Sequence, residues 1–302
     1  MKDNQQFDVI IVGGSYSGLA AAMALGRALK TVLIIDSAKP CNIQTPYSHN
    51  FITHDGEEPL EIVAQAMQQV KRYRTVEFFN GLAIEGSKTN NRFKIKVETG
   101  ETFVAKKLVF ATGIKDLLPD ISGMVACWGI SVLHCPYCHG YEVRNQKTGI
   151  LGNGEVGFDF VRLISNWTSD LSLFTNGPST LTVDQTQQLE VNKIEIIEKQ
   201  IVEMEHNNGK INSIIFTDNA RLPVKVLYAP TSFDQHCKIP EMMGCELTEE
   251  GYIKIDAFHE TSVKGVFASG DNSSRMRTLA NAVATGTTAG MVASKKLILE
   301  EF

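Results

Sequence analysis

Two glycine-rich turns, one near the amino terminus and one near the middle of the chain, constrain the fold more than any other feature. The first turn reads GGSYSG at residues 13–18, and the second reads GNGEVG at residues 152–157. The first turn lies between predicted strands at 7–12 and 31–35, the second lies between predicted strands at 148–151 and 171–174, and a segment with helical periodicity follows each turn. The sequence therefore predicts two βαβ units in an α/β fold with two Rossmann-like dinucleotide-binding domains, the second inserted in the first.

The first turn has the residue types that hold the pyrophosphate of a dinucleotide. Gly13 permits the tight turn, and the small residues Gly14 and Ser15 leave room for the phosphates. Gly18 allows the helix to pack closely on the strand, and the backbone amides at the start of that helix face the anion. Asp36 ends the next strand 18 residues after Gly18, where a carboxylate can accept hydrogen bonds from ribose hydroxyls.

The second turn matches the glycine scheme completely but lacks the ribose-binding signal. Gly152, Gly154 and Gly157 occupy its three fixed positions. The position that corresponds to the ribose-binding acid holds Thr175, and no Lys or Arg occurs in residues 163–192 to bind a 2′-phosphate. NAD(P)H is therefore a candidate ligand of this turn, but the sequence offers no residue that would bind its ribose or its 2′-phosphate.

The sequence CPYC at residues 135–138 contains the closest cysteine pair in the chain. Cysteines at this spacing close a disulfide with little chain reorganisation, and the first thiolate often has a depressed pKa. A zinc site completed by His134 and His139 is the competing interpretation, but adjacent residues rarely all face one metal, and the chain contains no second C-x-x-C group. The pattern favours a redox-active Cys135–Cys138 disulfide and no metal.

Charge and composition exclude several classes of partner. A net charge of -5, without blocks of like charge, argues against binding to nucleic acid or to an anionic membrane. The amino terminus has no secretory-signal pattern and no apolar run approaches the roughly 20 residues of a membrane span, so we expect a cytoplasmic protein. We expect buried, unreactive thiols at the four isolated cysteines, namely Cys41, Cys127, Cys237 and Cys245.

Two further motifs add candidate ligand-binding residues. Thr112 and Gly113 end the ATG sequence that follows a predicted strand. Gly270 and Asp271 end the ASGD sequence, and a helix that begins near Ala280 could direct its amides at a ligand.

Taken in order along the chain, these motifs resemble the low-molecular-weight thioredoxin reductases. The resemblance covers nearly the whole chain and implies an FAD-binding domain at 1–116 plus 243–302. It also implies an NAD(P)-binding-like domain at 117–242 that carries the redox disulfide. The form CPYCHGYE at residues 135–142 is similar to a branch that includes dithiol oxidases, which make disulfides in small metabolites with O₂.

The resemblance also implies roles for the residues. Cys138 would face the flavin and Cys135 would attack the partner's disulfide, while Asp271 would meet the ribityl or phosphate region of FAD. The reductases have an acid after the second cysteine, where this chain has His139, an imidazole that can accept or donate the proton. His49 and His54 lie in a loop that the resemblance brings near the flavin, although ordinary polar loop residues fit equally well.

Four functional hypotheses follow from the resemblance. The leading one is a homodimeric FAD enzyme that reduces thioredoxin-like proteins with a nicotinamide donor. The second runs the same reaction backward, from a small dithiol to O₂, and the third takes electrons from ferredoxin or flavodoxin. The fourth is a flavin-binding redox sensor without turnover.

Overall fold

A computed structural model describes residues 6–302 of the chain. The chain divides into two compact units, the first comprising the chain through Ile43, Asn50–Lys115 and Phe233–Phe302, and the second comprising Gln44–His49 and Asp116–Ser232. The elements follow in this order: β1 (Gln6–Val12), α1 (Tyr16–Arg27), β2 (Val32–Asp36), α2 (Pro59–Val70), β3 (Val76–Asn80), β4 (Ala83–Thr89), β5 (Arg92–Val97), β6 (Thr102–Phe110), β7 (Ile114–Leu117), α3 (Met124–Cys127), β8 (Val132–Leu133), α4 (Pro136–His139), β9 (Thr148–Leu151), α5 (Gly154–Ile164), β10 (Leu171–Phe174), α6 (Val183–Val191), β11 (Glu195–Ile197), β12 (Ile201–Asn207), β13 (Lys210–Phe216), β14 (Arg221–Pro223), β15 (Val226–Tyr228), β16 (Ser232–Gln235), α7 (Ile239–Met242), β17 (Val266–Ala268) and α8 (Leu279–Glu301).

The first unit is built on a seven-stranded sheet with the order β3-β2-β1-β6-β5-β4, in which β17 also pairs with β6. Strands β3, β2, β1, β6 and β17 run parallel, whereas the β6–β5 and β5–β4 pairs are antiparallel. Ile10 in β1 pairs with Leu33 on one side and Leu108 on the other. The strand is almost entirely buried and apolar because parallel strands are covered on both faces.

Helices α1 and α8 of this unit approach each other at their backbones. A methyl group on Gly286 would lie 2.1 Å from the Ser17 carbonyl oxygen, and one on Gly290 would lie 2.5 Å from that of Ala21. Only residues without a side chain permit this approach. The carboxyl-terminal helix is thereby held against the helix that follows the first glycine turn.

The second unit contains a five-stranded parallel sheet with the order β11-β10-β9-β15-β8 and a three-stranded antiparallel sheet, β12-β13-β14. Helix α5 packs on the parallel sheet through Phe158, Val161 and Ile164, all of which are buried. Strand β12 has only one buried residue after Ile201, namely Met204, so one face of the antiparallel sheet is largely exposed.

The chain passes from the first unit to the second after Lys115 and returns at Phe233, and the segment Gln44–His49 interrupts the first unit. The return to the first unit occurs at Phe233, ten residues before the predicted 243, because Cys237 and Ile239 pack into the core of that unit. The segment Gln44–His49 belongs to the second unit, although its neighbours in sequence belong to the first. Which unit binds which nucleotide stays a prediction.

The predicted α/β class is confirmed, with a parallel sheet in each unit. The predicted strands at 148–151 and 171–174 coincide with β9 and β10, and the helix expected to begin near Ala280 begins at Leu279. Among the described residues, no helix has both the length and the apolar character that a membrane-spanning segment needs.

Candidate active site

The backbone of the first glycine turn leaves no room for side chains at its key positions. Gly13 has φ +104°, and a methyl group there would lie 2.2 Å from the Ala111 carbonyl oxygen. A methyl group on Gly18 would lie 1.9 Å from the Gly13 carbonyl oxygen. Glycine is therefore required at both positions for the turn to close and for α1 to pack on it.

The amino-terminal end of α1 is not capped by its own side chain. Ser15 is the N-cap residue, its side chain makes no capping hydrogen bond, and the first turn of the helix contains no acidic residue. The Gly14 amide donates to Asp36 Oδ1 at 3.0 Å, and the Ala38 amide donates to Asp36 Oδ2 at 3.3 Å. The turn thus combines an uncapped helix start with the Asp36 carboxylate, which is held at the end of β2.

The ends of β6 and β17 bring the later motifs to the same edge of the first unit. Ser269, which directly follows β17, accepts a hydrogen bond from Ser17 Oγ at 2.8 Å, and the Gly270 amide donates to Thr285 Oγ1 at 3.1 Å. Asn272 is fully buried and donates to the Phe110 carbonyl oxygen at 2.8 Å. The amide oxygen of Asn272 has no hydrogen-bond partner within the described chain.

Asn272 is a residue that the sequence interpretation missed, although it directly follows the ASGD motif. Its second donor contact, at 3.3 Å to Thr112 Oγ1, joins the late motif to the ATG motif that ends at Gly113. A buried amide oxygen without a partner is costly unless a ligand or water satisfies it. Together with the glycine cradle and Asp36, it makes this edge fit the predicted FAD, and Asp271 and Ala280 lie on the adjoining segments.

The second unit carries the predicted redox pair as a closed disulfide. Cys135 and Cys138 are bonded, with 5.3 Å between their Cα atoms, and both are half-buried. Cys135 is the N-cap of the short helix α4, and Pro136 occupies its first position, where a missing amide costs nothing. The two sulfurs bind each other, which is the arrangement expected for a redox pair.

His139 follows the disulfide directly and is held as a neutral imidazole. Burial, and second the neighbouring His49, lower the pKa of His139 from 6.5 to about 4. The two imidazole rings meet edge to face, with centroids 6.3 Å apart. At neutral pH His139 is therefore unprotonated, and it is a weaker base than a free histidine as long as the disulfide is closed.

His49 and Glu142 also belong to this site. The sequence alone did not indicate that they lie together near His139. His49 Nδ1 lies 3.6 Å from Glu142 Oε1. Tyr228 is also buried here, and its pKa is raised by burial and by the Glu142 carboxylate, so its hydroxyl keeps its proton. His49 reaches the second unit because the segment Gln44–His49 belongs to that unit.

The other candidate histidines lie elsewhere. His134 stacks on Trp128 with ring centroids 5.8 Å apart, and His54 lies 3.0 Å from Glu57 Oε2. Of the isolated cysteines, Cys127 and Cys245 are buried and Cys237 is half-buried, and burial raises the pKa of all three thiols. The expectation of a buried thiol is wrong for Cys41, which is exposed because it lies in a turn outside the strands and helices.

The second glycine turn lies between β9 and α5 and differs from the first in its capping. Gly152 and Gly157 face each other so closely that a methyl group on Gly157 would lie 2.8 Å from the Gly152 carbonyl carbon. Asn153 is the N-cap of α5, and its Oδ1 accepts from the Gly154 amide at 2.8 Å. Glu155 stands in the first turn of that helix.

Comparisons with known proteins agree with this architecture. The sequence pattern of the pyridine nucleotide-disulphide oxidoreductase family matches residues 7–286. The chain is 30% identical to thioredoxin reductase tcpT of Claviceps purpurea over 99% of this chain and 97% of the relative.

Two solved structures are similar over nearly their whole length. The putative thioredoxin reductase TrxB from Bacillus anthracis superposes with a TM-score of 0.94 at 27% identity, covering 98% of this chain and 100% of that one. An oxidoreductase from Agrobacterium tumefaciens gives a TM-score of 0.91 at 31% identity, covering 98% and 99%. The chain is an enzyme that belongs to the pyridine nucleotide-disulphide oxidoreductase family.

Proposed function

We propose that this enzyme exchanges a dithiol for a disulfide at Cys135–Cys138, with FAD as its redox cofactor and His139 as the proton acceptor. The observation that carries the proposal is the closed disulfide followed directly by an imidazole whose pKa is about 4. The imidazole is unprotonated at neutral pH, so it has a free nitrogen that can take the proton of an incoming thiol, and the thiolate is the attacking species.

The proposed exchange proceeds through a mixed disulfide between the substrate and Cys135. A substrate thiol gives its proton to the His139 imidazole, and the thiolate attacks the Sγ atom of Cys135. The bond to Cys138 breaks, and Cys138 leaves as a thiolate. The second substrate thiol then attacks the substrate sulfur of the mixed disulfide, the bond to Cys135 Sγ breaks, and the proton of this thiol passes to the departing Cys135 sulfur. Two electrons and two protons pass from the substrate to the cysteine pair, and the substrate leaves as a disulfide.

Formation of the Cys138 thiolate also favours a proton on His139. A negative charge beside an imidazole stabilises its protonated form, so the pKa of His139 rises when the disulfide opens. The Glu142 carboxylate, 3.6 Å from His49 Nδ1, also favours a positive charge on the histidine pair. The histidine pair can therefore keep the proton near the sulfurs until the exchange is complete.

FAD would be held by the first unit. Gly13, Gly14 and Ser15 at the start of α1 would face the pyrophosphate of FAD, and Asp36 would accept hydrogen bonds from its adenosine ribose. The buried amide oxygen of Asn272 would accept a hydrogen bond from a polar group of FAD. When bound, FAD supplies the two-electron chemistry that returns the cysteine pair to the disulfide.

The oxidative direction is the candidate that the second glycine turn favours. In this direction a dithiol and O₂ give a disulfide and H₂O₂, and no nicotinamide is consumed. The reductive direction needs a donor, either NAD(P)H or a reduced ferredoxin or flavodoxin, and its substrates would be thioredoxin-like proteins. Residues 163–192 contain no Lys or Arg for the 2′-phosphate of NADPH, which supports the oxidative direction with a small dithiol.

The remaining features of the proposal rest on the likeness to thioredoxin reductases. We propose a homodimer in the cytoplasm. Turnover with any dithiol would exclude the alternative of a redox sensor without catalysis.

The proposal is tested by mixing the FAD-loaded protein with excess dithiothreitol without oxygen and following the flavin absorbance by stopped flow. We expect rapid bleaching, and H₂O₂ after oxygen is admitted. Cys135→Ser and Cys138→Ser should abolish bleaching, while Cys41→Ser, which removes an exposed thiol, should leave it unchanged. Bleaching that survives in both disulfide variants would contradict the proposal.

A further inference from the structure

The Asn153 side chain at the second glycine turn uses its hydrogen-bonding groups on the chain itself. Its Oδ1 atom accepts from the Gly154 amide and from the Thr180 amide, each at 2.8 Å. Its Nδ2 atom donates to the Pro178 carbonyl oxygen at 2.9 Å. The loop after β10 is thereby fastened over the start of α5, where a dinucleotide would place its pyrophosphate.

The start of α6 is tied to the same place. Thr182 and Gln185 form a reciprocal capping box at the beginning of α6. Gln185 is buried, and its Nε2 atom donates to Glu155 Oε2 at 2.5 Å, in the first turn of α5. The loop after β10 is therefore fixed at both of its ends, by Asn153 and by Gln185.

The glycines of this turn are explained by contacts within the protein. Gly152 and Gly157 allow the strand and the helix to touch at the backbone. Gly154 has φ +52°, and a methyl group there would lie 2.9 Å from Thr180 Oγ1. The three residues of the glycine scheme thus have structural roles without a nucleotide.

The charges at this turn also oppose a pyrophosphate. Glu155 stands at the start of α5, where an anion favoured by the helix dipole would bind. The Glu198 carboxylate accepts from the Ser179 amide at 2.7 Å. A pyrophosphate would add its negative charge beside these carboxylates, and residues 163–192 supply no Lys or Arg to balance it.

We infer that the second glycine turn is not a nucleotide site but a latch, in which Asn153 and Glu155 hold the loop of residues 176–182 over the start of α5. This inference deepens the proposed function, on which it rests for its chemical meaning. It excludes NADPH and NADH as electron donors that bind at this turn. Electrons then enter from the dithiol substrate or from a protein donor.

The first test is calorimetric titration of the FAD-loaded protein with NADP⁺ and NAD⁺, which bind without reducing the flavin. We expect no saturable binding up to about 1 mM. Reloading of the apoprotein with FAD in the same instrument is the control for binding competence. A dissociation constant below about 0.1 mM for either nucleotide would overturn the inference.

The second test measures the latch itself by hydrogen exchange. In Asn153→Ala the Thr180 and Gly154 amides should exchange at least about tenfold faster, because they lose their acceptor. Asn192→Ala is the matched control, since Asn192 lies outside the loop, at the end of α6, where its side chain donates to the Gln188 carbonyl oxygen at 2.7 Å. Unchanged exchange of Thr180 in Asn153→Ala would overturn the latch.

The outcomes separate this inference from the proposed function. If NADP⁺ binds tightly but dithiothreitol still bleaches the flavin through Cys135 and Cys138, the inference falls and the thiol chemistry stands. If neither nucleotide binds and dithiothreitol fails to bleach the flavin, the latch stands and the proposed function falls.

Discussion

The two glycine turns follow one sequence scheme, yet the helix that begins at each turn presents a different surface. At the first turn, Ser15 makes no capping bond and no acid stands in the first turn of α1. At the second turn, Asn153 caps α5 and Glu155 adds a negative charge. One helix start is available to an anion, and the other is occupied by the chain's own side chains.

The difference shows which positions of such a motif carry information about a ligand. The fixed glycines indicate that two backbone segments approach each other closely, because contacts within the protein require glycine at both Gly18 and Gly157. The residue between the glycines and the charge of the first helical turn decide what binds. Asn153 stands where the first turn has Gly14, and this single exchange supplies the amide that fastens the loop.

The largest effect of a substitution is expected at α4, which carries the disulfide and precedes the second glycine turn in the second unit. His139→Asn should slow reduction of the disulfide by a dithiol about 10²- to 10⁴-fold, because the thiol loses its proton acceptor. His134→Asn, which alters a ring stacked on Trp128, should change the rate little. Single-turnover stopped flow measures both, and a His139→Asn rate close to wild type would refute the assignment.

The next effect tests the first turn as the FAD site. In Gly18→Ala the new methyl group would lie 1.9 Å from the Gly13 carbonyl oxygen, so the turn must open. We expect FAD affinity to fall at least about 100-fold, measured by flavin content after dialysis. In Gly157→Ala, the equivalent change at the second turn, flavin content should stay at the wild-type value. Equal loss of flavin in both variants would break the comparison.

Much of the fold could be predicted from the sequence because it depends on local patterns. β9 and β10 are fully buried apolar runs, and their predicted bounds coincide with those in the structure. The antiparallel sheet β12-β13-β14 was not predicted. β12 has only Ile201 and Met204 buried, so its pattern is weak and its pairing depends on tertiary packing.

The candidate site could be predicted only in part, because local sequence patterns do not show which distant residues meet in the fold. Cys135, Cys138 and His139 are neighbours in the sequence, so their pattern indicates their chemistry directly. His49 and Glu142 are far apart in sequence and meet because the segment Gln44–His49 belongs to the second unit. Nothing in the local sequence of that segment indicates this placement.

A smaller effect is expected from the pH dependence of the second unit's stability. The pKa of His139 is about 4 in the folded protein and near 6.5 in the unfolded chain. Between these values the unfolded chain binds a proton that the folded protein does not, so the free energy of unfolding falls as pH drops from 6.5 to 4. The loss should reach about 1–3 kcal/mol. Urea unfolding at several pH values should show it in wild type and less of it in His139→Asn.

The smallest effect compares the two helix starts directly. Asn153→Ala removes the acceptor of the Gly154 and Thr180 amides and should lower the free energy of unfolding by about 1–2 kcal/mol. Ser15→Ala removes no capping bond and should cost the apoprotein less than about 0.5 kcal/mol. Urea unfolding of both apoproteins makes the measurement. Equal losses would mean that Ser15 also caps its helix, and the first turn would then be no more available to a cofactor than the second.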